Sequence, residues 1–245
     1  MLRRSFDEEL CALVEELKPP IVSFHFGLPD EKLVMRVKAT GALILSSATT
    51  VAEARWLEAH GCDAIIAQGY EAGGHRAIFL SADLNTQVGT MALVPQIVDA
   101  IKIPVIASGG ISDQRGVKAS FALGASAVQV GTAFLFCPEA KVNPVHRKAL
   151  KNAKESDTAL TNLFSGKPAR GIRNRLMNDL GPLSSLAPDF PRAGFALSPL
   201  RAITEPQGVG DFMPLWSGQA MTLAKEISAA ELTRLLAQGF LSNSN

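Results

Sequence analysis

Short runs of aliphatic and β-branched residues alternate, over the first 130 residues, with stretches whose apolar positions recur at helical spacing. Three of the runs are almost continuously apolar, as expected for parallel strands buried on both faces. The alternation predicts βα units built around a parallel sheet. The predicted strands are residues 21–26, 42–46, 63–68, 104–108 and 127–130.

Helices are predicted between these strands and after them. Thr50 and Glu53 have the spacing of a capping box, which begins a helix that ends near His60. Ser228 and Glu231 repeat this spacing at the start of a final helix, which runs through residue 238. The other predicted helices are residues 91–101, 113–123 and, as a charged surface helix, 139–156. Residues 165–215 are rich in glycine and proline and show little periodicity.

The composition is that of a globular protein, with 47% hydrophobic and 19% charged residues in a chain of 245. A net charge of +1 gives no electrostatic reason to expect nucleic acid or an anionic membrane. No apolar window is long enough for a signal peptide or a bilayer span. Cys11, Cys62 and Cys137 are spaced for neither zinc nor a redox pair, and no ligand cluster suggests a metal. We expect reduced, buried thiols and a cytoplasmic protein.

Glycines follow the last two predicted strands, where β/α barrels commonly bind phosphate. Gly109 and Gly110 come after the fourth strand, and Gly131 and Thr132 after the fifth. Glycine lets a backbone approach a ligand closely, and successive N–H groups form a concavity suited to an anion. The two pairs together favour a phosphate site, although each alone is also explained by a tight turn.

The loop after the third strand contains the most unusual residues of the chain. Gly73 and Gly74 are expected to hold the backbone close to a planar ligand and to present His75 at the mouth of the barrel. An imidazole there can take a proton near neutral pH. A structural role is the alternative for His75. Gln68, at the tip of the strand, either contacts a heterocycle or caps the strand.

Other polar residues have two interpretations each. His25 either lines the substrate pocket or is a structural histidine beneath a loop. The basic run 167–175 is interpreted as a solvated or ion-paired loop, with attraction of an anionic substrate as the alternative. His60 at a helix end is expected to interact with the helix dipole, and His146 to lie on a charged surface helix.

Several segments resemble the nitronate monooxygenases, formerly called 2-nitropropane dioxygenases. These are residues 23–27, 67–76, 86–100, 104–111, 129–132, 164–175 and 215–220. The resemblance implies an FMN enzyme with a (β/α)8 barrel of the TIM type. It also implies oxidation of a small nitronate or nitroalkane by O₂, giving a carbonyl compound and nitrite.

The resemblance also implies roles for individual residues. His75 matches the catalytic histidine, which removes the α-proton of a neutral nitroalkane, and His25 matches a pocket histidine. The expected FMN-binding residues are Gln68, Gly73, Gly74, Gly109, Gly110, Gln129, Val130, Gly131 and Thr132.

The start of the chain departs from the family pattern. Nothing before Ile21 resembles the Pro-Met-Ala-Gly strand of the family, so the five strands are interpreted as barrel strands four to eight. We expect an N-terminally incomplete FMN-binding barrel over residues 1–135. A helical and loop segment, residues 136–245, is expected to pack on it. Such a barrel is either a fragment or is completed by another chain, and its open sheet edges favour self-association. The alternative functions are a non-catalytic remnant and an FMN-dependent NAD(P)H reductase of the quinone or enoyl-acyl-carrier-protein type.

Overall fold

A computed structural model describes residues 5–241, and a five-stranded parallel sheet forms its centre. The strands are β1 (Ile21–Phe24), β2 (Leu43–Ala48), β3 (Ala64–Gln68), β4 (Gly74–His75), β5 (Val105–Ser108), β6 (Ala127–Gln129), β7 (Thr158–Thr161) and β8 (Ala169–Ile172). The parallel sheet has the order β1-β2-β3-β5-β6, and β4-β8-β7 form an antiparallel sheet. The predicted parallel α/β architecture is therefore confirmed.

Helices cover the parallel sheet and the loops that follow it. They are α1 (Glu8–Leu17), α2 (Glu31–Ala39), α3 (Val51–Ala59), α4 (Thr90–Ala100), α5 (Gln114–Ala122), α6 (Pro144–Asn152), α7 (Arg175–Leu180), α8 (Ala193–Ala196), α9 (Ser198–Thr204) and α10 (Ala229–Leu241). Helices α1 and α2 are additional to those that the pattern predicts. Asp7 and Asp30 begin them, each accepting a hydrogen bond from a first-turn N–H group.

The register of the parallel sheet aligns the ends of three strands. Gln68 pairs with Ser108 across β3 and β5, and Ser108 pairs with Gln129 across β5 and β6. Because the strands are parallel, the loops after these three residues leave the sheet at the same edge. This edge carries the glycine pairs and the loop that contains His75.

Glu53 does not complete the predicted capping box. The Thr50 hydroxyl accepts a hydrogen bond from the Glu53 N–H group at 3.2 Å, as predicted. The Glu53 carboxylate instead accepts hydrogen bonds from the N–H and hydroxyl of Thr49, at 2.7 and 2.6 Å. It also accepts one from the Phe79 N–H group at 2.7 Å. This buried carboxylate therefore joins the start of α3 to the loop after β4.

The C-terminal part differs from the predicted helical and loop segment. Strands β7 and β8 lie within it, and β8 pairs with β4 from the first part of the chain. The charged helix predicted for residues 139–156 is confined to α6, which Asn143 caps with its side chain. Helix α10 packs on α5, with Leu232 and Leu236 buried in the same core as Val117. The predicted division at residue 135 stays a prediction.

Strands β1 and β6 lie at the two edges of the five-stranded sheet as residues 5–241 form it. The predicted self-association through such edges stays a prediction. Cys11, Cys62 and Cys137 are buried, as expected. None of the helices formed by the described residues has the length and apolar character needed to cross a membrane.

Candidate active site

A cavity of about 130 Å³ opens where β3, β5 and β6 end. Residues predicted to bind FMN form much of its wall: Gln68, Gly73, Gly109, Gly110, Gln129, Gly131 and Thr132. Gly74 and Val130 are not among its lining residues. Gly74 belongs to β4, where it pairs with Arg170. The fold thus brings seven of the nine predicted residues to one place.

The backbone of this cavity is suited to an oxyanion. Gly109 and Gly110 have φ angles of +108° and +70°, which residues with a side chain rarely adopt. The N–H groups of Gly110, Gly131 and Thr132 donate to no acceptor within residues 5–241. A Cβ atom added at Gly131 would meet nothing within 4 Å, so the space beside it is open. N–H groups around an open space form the concavity that a phosphate requires.

Glu71, which the sequence pattern does not identify, lies beside the glycine turn that borders this cavity. Its carboxylate accepts hydrogen bonds from the N–H and hydroxyl of Thr90, both at 2.9 Å. The same hydroxyl lies 2.9 Å from the carbonyl oxygen of Gly109. Glu71 therefore caps the N-terminus of α4, where a negative charge is favourable, and fixes the glycine turn beside it.

Gln68 uses its amide group to hold the loop that carries His75. The Nε2 group donates to the carbonyl oxygen of His75 at 2.9 Å, and Oε1 accepts from the Ala77 N–H group at 2.8 Å. This geometry supports the structural alternative for Gln68. The side chain nevertheless borders the cavity, so contact with a ligand stays a prediction.

His75 lies beside a second cavity, of about 300 Å³. Its Nε2 atom is 2.8 Å from the Oγ atom of Ser165. Three aromatic rings surround the imidazole, with centroid distances of 5.8 Å to Phe26, 6.0 Å to Phe190 and 5.6 Å to Trp216. An imidazole in this position can exchange a proton with a ligand that the rings shield from water.

His25 borders a third cavity, of about 480 Å³, which shares Phe190 with the cavity of His75. The Nδ1 atom of His25 is 3.4 Å from the Ser47 hydroxyl. Burial lowers the pKa of His25, and the charges of Arg76 and Lys167 lower it further. The two predicted histidines are neighbours, because the Phe26 ring contacts both, at centroid distances of 4.6 Å from His25 and 5.8 Å from His75.

The solvated interpretation of the basic run is wrong for two of its members. Arg170 is only 3% exposed; it donates to the Tyr70 carbonyl at 3.1 Å, and its guanidinium lies 4.9 Å from the centroid of the Tyr70 ring. The Lys167 Nζ atom lies 3.8 Å from the centroid of the Phe26 ring. Arg173 and Arg175 are exposed, as predicted.

A family model described as "Nitronate monooxygenase" matches residues 3–239. The chain belongs to the nitronate monooxygenase family. A nitronate monooxygenase of Pseudomonas aeruginosa is 44% identical over 95% of this chain and 66% of its own length. A probable nitronate monooxygenase of Bacillus subtilis is 43% identical over 92% of this chain and 65% of its own length.

Solved structures agree with this family assignment. A nitroalkane oxidase from Streptomyces ansochromogenes has a TM-score of 0.86 and 37% identity, covering 96% of this chain and 69% of that one. FabK from Thermotoga maritima has a TM-score of 0.77 and 30% identity, covering 96% and 72%. The fold is thus similar to that of a TIM-barrel nitroalkane oxidase.

The chain spans about two thirds of the length of the curated nitronate monooxygenases that it matches. Their similarity extends over at least 92% of this chain. The expectation that the first barrel strands are missing stays a prediction.

Three residues around His75 in this member of the nitronate monooxygenase family have no role in the sequence-based predictions. Ser165 and Trp216 fall in segments that resemble the family, but the resemblance gives them no role. Phe190 lies in the segment without periodicity, and no signal in the sequence identifies it. His146 was assigned to the surface; instead it is half-buried, and its Nε2 atom lies 2.9 Å from the Trp216 carbonyl oxygen. His60 contacts the Trp56 carbonyl in the last turn of α3, at 2.7 Å, as expected for a histidine at a helix end.

Proposed function

We propose that this chain forms the site of an FMN-dependent enzyme that oxidises alkyl nitronates with O₂ to a carbonyl compound and nitrite. The observation that carries the proposal is that Gln68, in the wall of the glycine-rich cavity, donates a hydrogen bond to the backbone of His75, which lines the second cavity. The Gly110, Gly131 and Thr132 N–H groups of the first cavity have no acceptor within residues 5–241. Membership of the nitronate monooxygenase family supports it.

The phosphate of FMN fits the cavity at the ends of β5 and β6. Gly110, Gly131 and Thr132 provide N–H donors, and the glycines leave room for the oxygens. The Thr132 hydroxyl accepts from the Gly218 N–H group at 2.9 Å, which fixes the orientation of this wall. FMN, when bound, supplies the electron transfer between the substrate and O₂.

His75 acts on the substrate as a base. With a neutral nitroalkane, its imidazole removes the α-proton; with a preformed nitronate, no proton has to be removed. Phe26, Phe190 and Trp216 shield this transfer from bulk water and hold the imidazole in place. Such a base contributes about 10²–10⁴-fold to the rate.

The test compares His75→Asn with His60→Asn, a control at the exposed end of α3. We expect the purified wild-type chain to bind FMN and to release nitrite from a nitronate. In His75→Asn, kcat/KM for a neutral nitroalkane should fall by about 10²–10⁴-fold. The value for the nitronate should fall less, and His60→Asn should match wild type. Wild-type oxidation of NAD(P)H without nitrite release from nitronates would overturn the proposal in favour of a reductase.

A further inference from the structure

The turn formed by residues 165–167 is fixed in position against a neighbouring loop. Gly166 has a φ angle of +89°, a conformation available mainly to glycine. A Cβ atom at this position would lie 2.3 Å from the Phe190 backbone nitrogen and 2.5 Å from the Pro188 carbonyl oxygen. The close approach requires glycine, and it holds the turn beside the aromatic residues that surround His75.

The same turn carries both the hydrogen-bond partner of His75 and a lysine. The Ser165 hydroxyl is 2.8 Å from His75 Nε2 and 3.1 Å from the Lys167 carbonyl oxygen. It also accepts a hydrogen bond from the Lys167 N–H group at 3.3 Å. The Ser165 hydroxyl therefore links the backbone of Lys167 to the imidazole of His75, the candidate base.

The ammonium group of Lys167 lies in aromatic surroundings. Its Nζ atom is 3.8 Å from the centroid of Phe26 and 5.5 Å from that of Phe190. No carboxylate within residues 5–241 forms an ion pair with it. Burial lowers the pKa of Lys167. The aromatic rings attract the ammonium group through the cation–π interaction. They provide no oxygen atom that could accept a hydrogen bond from its N–H groups.

Lys167 and His25 border the same cavity of about 480 Å³, and among residues 5–241 no acidic side chain lines it. The rest of its wall is largely apolar or aromatic: Ser5, Phe6, Phe24, Phe26, Gly27, Leu28, Pro29 and Phe190. A cavity with an ammonium group, an imidazole and no carboxylate attracts a small anion. Because Lys167 is half-buried beside apolar rings, the attraction is stronger than at a fully exposed lysine.

We propose that Lys167 binds the anionic end of the substrate, with its N–H groups directed at the two oxygens of a nitronate. The inference rests on the proposed function. It identifies the Lys167 ammonium group as the part of the site that distinguishes the charged nitronate from the neutral nitroalkane. A nitronate carries a full negative charge shared by its two oxygens, whereas the parent nitroalkane has no net charge. Lys167 therefore contributes to binding of the nitronate and much less to binding of the nitroalkane.

The test replaces Lys167 by Met and by Arg, with Lys118→Met as the control for loss of one positive charge. Lys118 is exposed on α5. Nitrate, a planar anion of similar shape to a nitro group, is titrated into the FMN-saturated chain by calorimetry. FMN saturation keeps nitrate out of the phosphate cavity. In parallel, kcat/KM is measured for a nitronate and for its neutral nitroalkane.

We expect Lys167→Met to lose about 10- to 100-fold in nitrate affinity and in kcat/KM for the nitronate, the usual scale for a hydrogen bond to a charged group. The value for the nitroalkane should change by less than about 3-fold, a small part of the loss expected for such a hydrogen bond. Lys167→Arg should retain most of the nitrate affinity, and Lys118→Met all of it.

Unchanged nitrate binding in Lys167→Met would overturn the proposal, as would equal losses for the two substrates. A loss of nitrate affinity in Lys167→Arg as large as in Lys167→Met would also overturn it. A wild-type chain that binds nitrate through Lys167 but oxidises no nitronate would contradict the proposed function and leave the anion site standing.

Discussion

The Nε2 atom of His75 lies 2.8 Å from the Oγ atom of Ser165, a residue 90 positions later in the chain. The Ser165 hydroxyl is also 3.1 Å from the Lys167 carbonyl oxygen, which can only accept a hydrogen bond. We expect the hydroxyl to direct its single proton there and to accept from His75, which would place the proton of the neutral imidazole on Nε2. Ser165 would then be a positioning residue that selects one tautomer.

In Ser165→Ala, the imidazole of His75 should no longer be held in the tautomer protonated at Nε2. The imidazole would keep its aromatic surroundings but lose one hydrogen bond, so kcat/KM for a neutral nitroalkane should fall by about 2- to 10-fold. Nitrogen-15 NMR of the histidines should show a smaller population of the tautomer protonated at Nε2. Ser47→Ala is the matched control, because Ser47 contacts His25 and not His75. An unchanged tautomer population in Ser165→Ala would assign Ser165 a purely structural role.

The sequence predicts the position of His75 but not that of its hydrogen-bond partner Ser165. His75 follows a strand with an unmistakable apolar pattern and is preceded by two glycines, so its position at the sheet edge is predictable. Ser165 lies in a segment without periodicity, between two four-residue strands. Strand β8 even contains Arg170, whose burial depends on the stacking with Tyr70. Such long-range contacts leave no local pattern, so this half of the site emerges only from the structure.

Gly131→Ala should separate cofactor binding from folding. Gly131 has φ and ψ angles of −112° and −71°, so its φ is negative and not restricted to glycine, and its added Cβ atom would meet no protein atom within 4 Å. The free energy of unfolding without FMN should change by less than about 0.5 kcal/mol. FMN affinity should fall at least 10-fold, because the methyl group would occupy the space proposed for the phosphate. Fluorescence titration with FMN measures this, and wild-type affinity would place the phosphate elsewhere.

Gly73→Ala is the contrasting variant. A Cβ atom at Gly73 would lie 2.4 Å from the Gly218 backbone nitrogen and 2.5 Å from the Ser217 carbonyl carbon. Both are backbone atoms, so the two loops would have to move apart. We expect a loss of about 1–3 kcal/mol in the free energy of unfolding even without FMN, as is usual for overpacking. Urea denaturation measures it, and a stability equal to that of wild type would show that the loops are mobile.

Arg76 should contribute to stability rather than to chemistry. Its guanidinium is fully buried and donates to the carbonyl oxygens of Gly69 and Gln68 and to the Gln87 side chain, at 2.6, 2.8 and 3.0 Å. Burial lowers the pKa of Arg76 to about 10. Arg76→Met would leave buried oxygens without a donor and should cost about 1–3 kcal/mol. In urea denaturation the exposed Arg55→Met should stay within about 0.5 kcal/mol of wild type. Equal stability of both variants would contradict this assignment.

The pH dependence of the free energy of unfolding should show the contribution of His146. Burial lowers the pKa of His146 below its ordinary value of 6.5, although the hydrogen bond to the Trp216 carbonyl opposes this. As the pH falls below about 6.5, the unfolded chain takes up a proton that the folded chain resists. The stability that the neutral ring contributes is therefore present above pH 6.5 and lost as the pH falls through the folded pKa. Burial lowers the pKa of His25 too, so the two histidines act in the same direction.

The measurement is urea denaturation at several pH values between 8 and 5 for wild type, His146→Asn and His60→Asn. His146→Asn should flatten the fall in the free energy of unfolding between pH 6.5 and 5, leaving the part that His25 contributes. His60→Asn is the control for replacing a histidine at the exposed end of α3. The argument fails if His146→Asn shows the same pH slope as wild type, since the proton uptake would then belong to other groups. It fails equally if the free energy of unfolding rises as the pH falls toward 5. Such a rise would require histidines whose pKa is raised by folding.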